Sequence, residues 1–125
     1  MIWDVVSLSS AHSREGTMNV SSHVKVRRIS FKERKTYAQG IEARWKGGGW
    51  VVIICNKGMV GCGAFDVKLM EAHNQVIAVA RGTTEKHLVT CEDLLNARIW
   101  GATRLAKGFG IKKGMCCREA VELLL

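Results

Sequence analysis

The sequence predicts an α+β domain in which a largely antiparallel sheet, drawn from the N-terminal half, carries helices on one face. Three observations lead there. Apolar and basic residues alternate from Val24 onward. A wholly apolar, β-branched run from Trp50 to Cys55 follows a glycine-rich turn. Helical spacing with capping residues appears only after Asp66. Strands concentrated ahead of helices argue for α+β rather than a doubly wound parallel sheet. The chain of 125 residues fits one domain, and a domain of that size buries about two-thirds of its unfolded surface without staples.

Residues 1 to 22 carry six serines and little apolar periodicity, which reads as a poorly ordered extension, with Met18 as an alternative start. The domain is therefore assigned to residues 23 to 125. In the first strand Val24 and Val26 face one way, joined in the pattern by Ile29 and Phe31, with Lys25, Arg27 and Arg28 interleaved. A second strand is expected from about Thr36 to Trp45, then a turn over Lys46-Gly47-Gly48-Gly49. Trp50 to Cys55 reads as a central strand covered on both sides. Trp45 and Trp50 flank the turn and are expected to face each other, by cross-strand packing before any stacking on bases.

Asn56-Lys57-Gly58 supplies turn chemistry, with Gly58 free to take positive φ, and Met59 to Ala64 returns as a hairpin strand. Asp66 stands at an N-cap before Val67, Leu69 and Met70, a short helix ending near Asn74. Gln75 to Ala80 is a further strand, Arg81-Gly82-Thr83-Thr84 a turn, and His87 to Val89 a brief strand. Thr90-Cys91-Glu92-Asp93 forms a capping-box variant. Leu94, Leu95, Ile99, Ala102 and Leu105 then recur at helical intervals, with a break near Gly101, until Gly108 and Gly110. A last helix places Ala120, Val121, Leu124 and Leu125 on its apolar side.

The formal charge is +8. Residues 23 to 46 hold Lys25, Arg27, Arg28, Lys32, Arg34, Lys35, Arg44 and Lys46 against Glu33 and Glu42, a local charge of +6. A localised basic face attracts nucleic acid through counterion release. The same residues also keep exposed strand edges from aggregating, and this second account is the stronger, because basic charge alone is a weak footprint. No apolar run approaches the roughly 20 residues that span a bilayer, and Asp4 interrupts the N-terminal apolar stretch with no basic region before it. A membrane span and a secretory signal are thus not expected. Five cysteines without regular spacing suit free thiols and a cytoplasmic location, not a disulfide framework. No Cys-x-x-Cys or His-x-x-x-His pair invites zinc.

Gly58-Met59-Val60-Gly61-Cys62-Gly63 runs G-x-x-G-x-G after a hairpin turn, so it does not match a dinucleotide fingerprint. Gly108 to Gly114 lacks the Gly-Lys-Ser/Thr ending of a phosphate loop. Cys62, between two glycines and four residues before Asp66, is the position to inspect for chemistry, since a thiol near a helix N-terminus can have a lowered pKa. His73, His87, Arg81 and Arg118 would reach it only through the fold. A small buried cysteine in a closely packed strand is the stronger reading. Arg81-Gly82-Thr83-Thr84 offers a guanidinium, amides and hydroxyls to an anion, and serves equally as a polar turn.

Val60-Gly61-Cys62-Gly63-Ala64-Phe65-Asp66-Val67, Thr90-Cys91-Glu92-Asp93-Leu94-Leu95, and Gly110-Ile111-Lys112-Lys113-Gly114-Met115 with Arg118-Glu119-Ala120 together resemble the YunC-like family of uncharacterised proteins (domain of unknown function 1805). The resemblance runs from about Val24 to Leu125. It implies a small cytoplasmic α+β domain whose N-terminal β region mediates tetramer formation, and brings no reaction or ligand. The long N-terminus, the triple-glycine turn and the length around Thr83 to His87 depart from the family pattern.

The expectation is therefore a non-catalytic, homo-oligomeric domain, tetrameric by the resemblance, assembling through strands between Val24 and Trp45. It would need no cofactor or metal and would bind a small anionic ligand at most. Two alternatives stand beside it: a thiol-dependent enzyme using Cys62 with Asp66, Arg81 or Arg118 assisting, and a nucleic-acid-binding module using the basic strands.

Overall fold

The computed structural model describes residues 23 to 125 apart from Glu33 and Thr84; the extension expected over residues 1 to 22 lies outside them. The architecture is α+β. Six strands form one sheet in chain order: β1 (Val24–Ser30), β2 (Tyr37–Trp45), β3 (Gly48–Ile54), β4 (Met59–Gly61), β5 (Ile77–Ala80) and β6 (Ile99–Ala102). Among the described residues four helices accompany them: α1 (Val67–Ala72), α2 (Cys91–Leu95), α3 (Arg104–Gly108) and α4 (Cys117–Leu124).

Every neighbouring pair is antiparallel except β4 and β5, which run parallel. Parallel neighbours cannot be joined by a hairpin, so the chain leaves the end of β4, crosses through α1 and re-enters at Ile77. This one crossover brings the carboxyl ends of two adjacent strands to the same edge.

The β1–β2–β3 meander follows the alternation in the sequence except at Ile29, which the unbroken register places on the face opposite Val24 and Val26, packed with Phe31 against the buried core. Its second turn is tighter than expected: Trp45 pairs with Gly48, leaving Lys46-Gly47 as a two-residue loop in which Gly47 takes φ +88°, the left-handed conformation such hairpin turns need. Gly48 and Gly49 belong to β3. Trp45 and Trp50 do not face each other, because Trp50 pairs with Ala43. The Trp50 ring meets Phe65 edge-on at 6.0 Å between centroids.

β3 is covered on both faces in its second half, with Val51 and Ile53 fully buried and Val52 nearly so, and β5 is buried along its whole length from Ile77 to Ala80. Val51, Ile53, Val60, Ala78 and Ala80 enter a core completed by Leu94 and Leu95 of α2 and by Ala120, Val121 and Leu124 of α4. Val52, Gly61, Val79 and Gly101 are cross-strand neighbours with the opposite alternation. On that second side α1 covers the β5–β6 end, where a Cβ on Gly101 would lie 3.8 Å from Val67.

Two expected elements differ. Ile99 and Ala102, placed on a continuing helix by their spacing, form β6, paired with β5 around a bulge; four-residue apolar pieces fit either period. The helix resumes only at Arg104, capped by Thr103, whose hydroxyl accepts from Ala106 N–H. His87 to Val89 is not a strand: Thr83 N–H donates to Lys86 O at 2.9 Å, and Lys86 N–H donates back to the Thr83 hydroxyl at 2.9 Å, which turns the chain locally.

Capping follows the sequence closely. The Asp66 carboxylate accepts from Lys68 and Leu69 N–H at 2.9 and 3.3 Å. Thr90 and Asp93 form a reciprocal capping box at the start of α2. The Thr90 N–H, with that of Val89, holds the Asp93 carboxyl below its ordinary value, against a smaller opposing effect of burial. A depressed folded pKa stabilises above the unfolded carboxylate value of about 3.9 and is lost as pH falls through the folded value. Thr90→Ala removes the hydroxyl that accepts from Asp93 N–H at 3.0 Å and should cost about 1 kcal/mol. Urea unfolding should show both chains losing the Asp93 contribution together as pH falls through its folded value, because the backbone amides that lower it are kept in the variant.

Candidate functional site

The carboxyl ends of β4 and β5 open into loops, Cys62 to Asp66 before α1 and Arg81 to Thr90 before α2. Sheets with parallel strands commonly bind ligands at such ends. Two clefts adjoin there. One, of about 390 Å³, is lined by Cys62, Gly63, Arg81, Thr83 and His87 among others. The second, of about 650 Å³, runs past Phe65, Asp66, Lys68 and Trp100. Arg81, Gly63 and Ala64 belong to both.

Arg81 follows the last residue of β5, so a rigid strand sets its origin. Its guanidinium carbon stands 3.4 Å from the Trp100 ring centroid, on β6 next to Ile99, the partner of Ala80. A guanidinium stacked on an indole loses little further entropy when it forms hydrogen bonds. Gly63 lies against its stem, 3.4 Å separating Arg81 Cγ from the position a Cβ would take. Phe65 N–H donates to Cys62 O at 3.1 Å, closing the turn that walls both clefts.

The sequence candidates separate here. Cys62, Arg81 and, through the second cleft, Asp66 are brought together. The Asp66 carboxylate is already occupied as a helix cap. Cys62 lies in the cleft floor at 5% exposure, and its Sγ accepts from Val51 N–H at 3.5 Å. It is thus both buried and cleft-lining. Arg118 is exposed on α4, whose first amide, Cys117 N–H, is anchored to Ala97 O at 2.9 Å, and it lines neither cleft. His73 caps the end of α1 and stays outside as well, whereas His87 lines the first cleft. Trp100 and Lys68 were not singled out in the sequence. Trp100 sat in what looked like a helix, where an exposed tryptophan carries no signal.

All five cysteines are free. Burial pushes the Cys55 and Cys117 thiols up to about 12, and burial with the nearby Glu42 carboxylate does the same for Cys91. These three are packing groups, protonated and inert as nucleophiles at neutral pH. Among the described residues no group of three His, Cys, Asp or Glu is placed to hold a metal ion, and no helix is long and apolar enough to cross a membrane. The basic residues of β1, β2 and their connections are exposed. A smaller depression of about 240 Å³ near Lys35, Tyr37 and Asn56 lies at the far end of β2 and β3, away from the cluster around Arg81.

A family model described as Domain of unknown function (DUF1805) matches residues 61–124. The chain belongs to this family. The DUF1805 match starts at the end of β4 and takes in both loops, α1, Arg81 and Trp100, so nearly the whole lining of the two clefts lies inside it. Strands β1 to β3 precede it. In fold the chain is similar to the crystal structure of a protein of unknown function from Thermoplasma acidophilum, with a TM-score of 0.69 and 19% identity over 82% of this chain and 93% of that one. Likeness at that identity is one of fold. No curated protein matches the chain.

Proposed function

We propose that this DUF1805 protein is a small homo-oligomeric domain that binds a small anionic ligand at Arg81. The observation that carries the reading is a guanidinium fixed on an aromatic ring where two clefts meet, with Thr83 and His87 in the lining of one of them. A preorganised arginine suits a carboxylate or phosphate, which it can engage with two parallel hydrogen bonds. Lys68, in the lining of the second cleft, adds positive charge nearby. Titration with phosphate and with simple carboxylates, followed by intrinsic tryptophan fluorescence and melting temperature, should give a saturable response in the native chain. Arg81→Ala should weaken it at least tenfold, about 1.4 kcal/mol. An unchanged response in Arg81→Ala would move binding to the basic strands and defeat the reading.

Assembly has its own support in the second side of the β1–β3 meander. Val26 and Ile41 are cross-strand neighbours of Val52, and with Val24 and Ile54 they are half-buried. Tyr37 and Trp45 beside them are 36% and 54% exposed. An apolar sheet face rimmed by Arg28 and by Lys46 of the turn is suited to packing against the same face of another copy. Light scattering at micromolar concentration should give an oligomer, and Val26→Asp with Ile41→Asp should reduce it to monomers. A native monomer would overturn this part of the proposal. The basic rim also keeps open nucleic-acid binding, which predicts salt-sensitive association weakened by Arg27→Ala with Arg28→Ala.

A further inference from the structure

The two clefts that meet at Arg81 differ in chemistry, and the difference restricts the ligand. The first is polar. Thr83 Oγ1 accepts from Lys86 N–H, so its own proton is free to donate outward, and His87 adds a second polar group. The second is walled by Phe65, Val67 and the Trp100 ring, and Trp100 is 42% exposed although Arg81 already covers one face of it. Asp66 and Lys68 both line this second cleft, so their charges offset one another there.

Resting on the reading above that Arg81 anchors an anion, we infer that the ligand is a carboxylate or phosphate monoester carried on an aromatic or apolar body. The charged end takes the Thr83–His87 cleft and the body lies along Phe65, Val67 and Trp100. Three physical points converge on that orientation. The first cleft has Thr83 and His87 beside Arg81 and no carboxylate in its lining, whereas in the second Asp66 offsets Lys68. The apolar wall of the second gains only from a ligand with apolar surface to bury. The volumes, about 390 and 650 Å³, each fall in the range of about 300–1,000 Å³ for sites that hold organic ligands, and a bare ion would leave the second one to water.

The test is a calorimetric titration of the full chain with four probes: inorganic phosphate, phenyl phosphate, acetate and phenylacetate. Each aromatic probe should bind at least about tenfold tighter than its bare counterpart, the return expected for burying one phenyl ring. Comparing the two pairs decides between phosphate and carboxylate as the charged group. Val67→Trp, which fills the apolar cleft, should remove the aromatic advantage, with melting temperature confirming that the variant is folded. Bare ions binding as tightly as their aromatic partners would overturn this inference and leave the anion reading standing. Failure of all four probes to bind, or equal binding by Arg81→Ala, would overturn both.

Discussion

Gly58→Ala is expected to destabilise the fold by about 3 kcal/mol, near the upper end for forcing an extra methyl into a packed site. A Cβ at this position would lie 2.6 Å from Val76 O and 2.7 Å from Val76 Cβ. Both are fixed atoms: Val76 O accepts from Met59 N–H at 3.0 Å where β4 and β5 begin to pair, and Gly58 O accepts from Cys55 N–H at 2.8 Å. The chain therefore has to part β5 from β4 or open the turn after β3. The sequence marks Gly58 as a turn residue free for positive φ, yet among the described glycines positive φ falls at Gly47, Gly110 and Gly114. What requires glycine at 58 is close approach. Urea unfolding would show the loss as a lowered midpoint at unchanged slope, and a stability equal to the native chain would refute the collision.

Glu42→Ala is expected to cost about 2–3 kcal/mol, the scale of hydrogen bonds to a charged group that also leave a buried donor unpaired. Glu42 is 2% exposed. Its Oε2 accepts from Cys91 N–H at 2.7 Å, at the first turn of α2, and from Arg27 Nε at 3.1 Å on β1. One carboxylate thus ties α2 to two strands. Its Oε1 has no partner among the described residues, so part of the gain is offset by desolvation. Glu42→Gln, which retains an acceptor for Cys91 N–H, should lose about 1 kcal/mol. Thermal unfolding of the three chains checks the order; if alanine and glutamine are equally stable, the carboxylate is not what holds α2.

The contrast between these two residues explains what was legible in the sequence. Period-two alternation from Val24, the β-branched run at Val51 to Ile54 and the caps Asp66 and Thr90 are local signals, and each produced its element. Glu42 was countable only as an acid in a basic stretch, because the group that justifies its burial, the amide of Cys91, lies 49 residues away. The same distance hid β6: Ile99 and Ala102 fit a helical spacing until β5 supplies an open edge for pairing. Parallel pairing of β4 with β5 also has no local marker, and it is this pairing that places Cys62 and Arg81 at one edge. The polar groups of the cleft were nominated from residue type, while Trp100, which fixes Arg81, required the fold.

The central claim is that anion binding belongs to Arg81 and not to the general basicity of the chain. The most direct measurement is an amide and indole chemical-shift titration with phosphate at physiological salt. Saturable shifts should concentrate on Gly63, Ala64, Arg81 to Thr83 and the Trp100 indole, and Arg81→Ala should abolish them. Shifts spread along Lys25 to Lys46 that decline as salt is raised, with the Arg81 loop silent, would contradict the account.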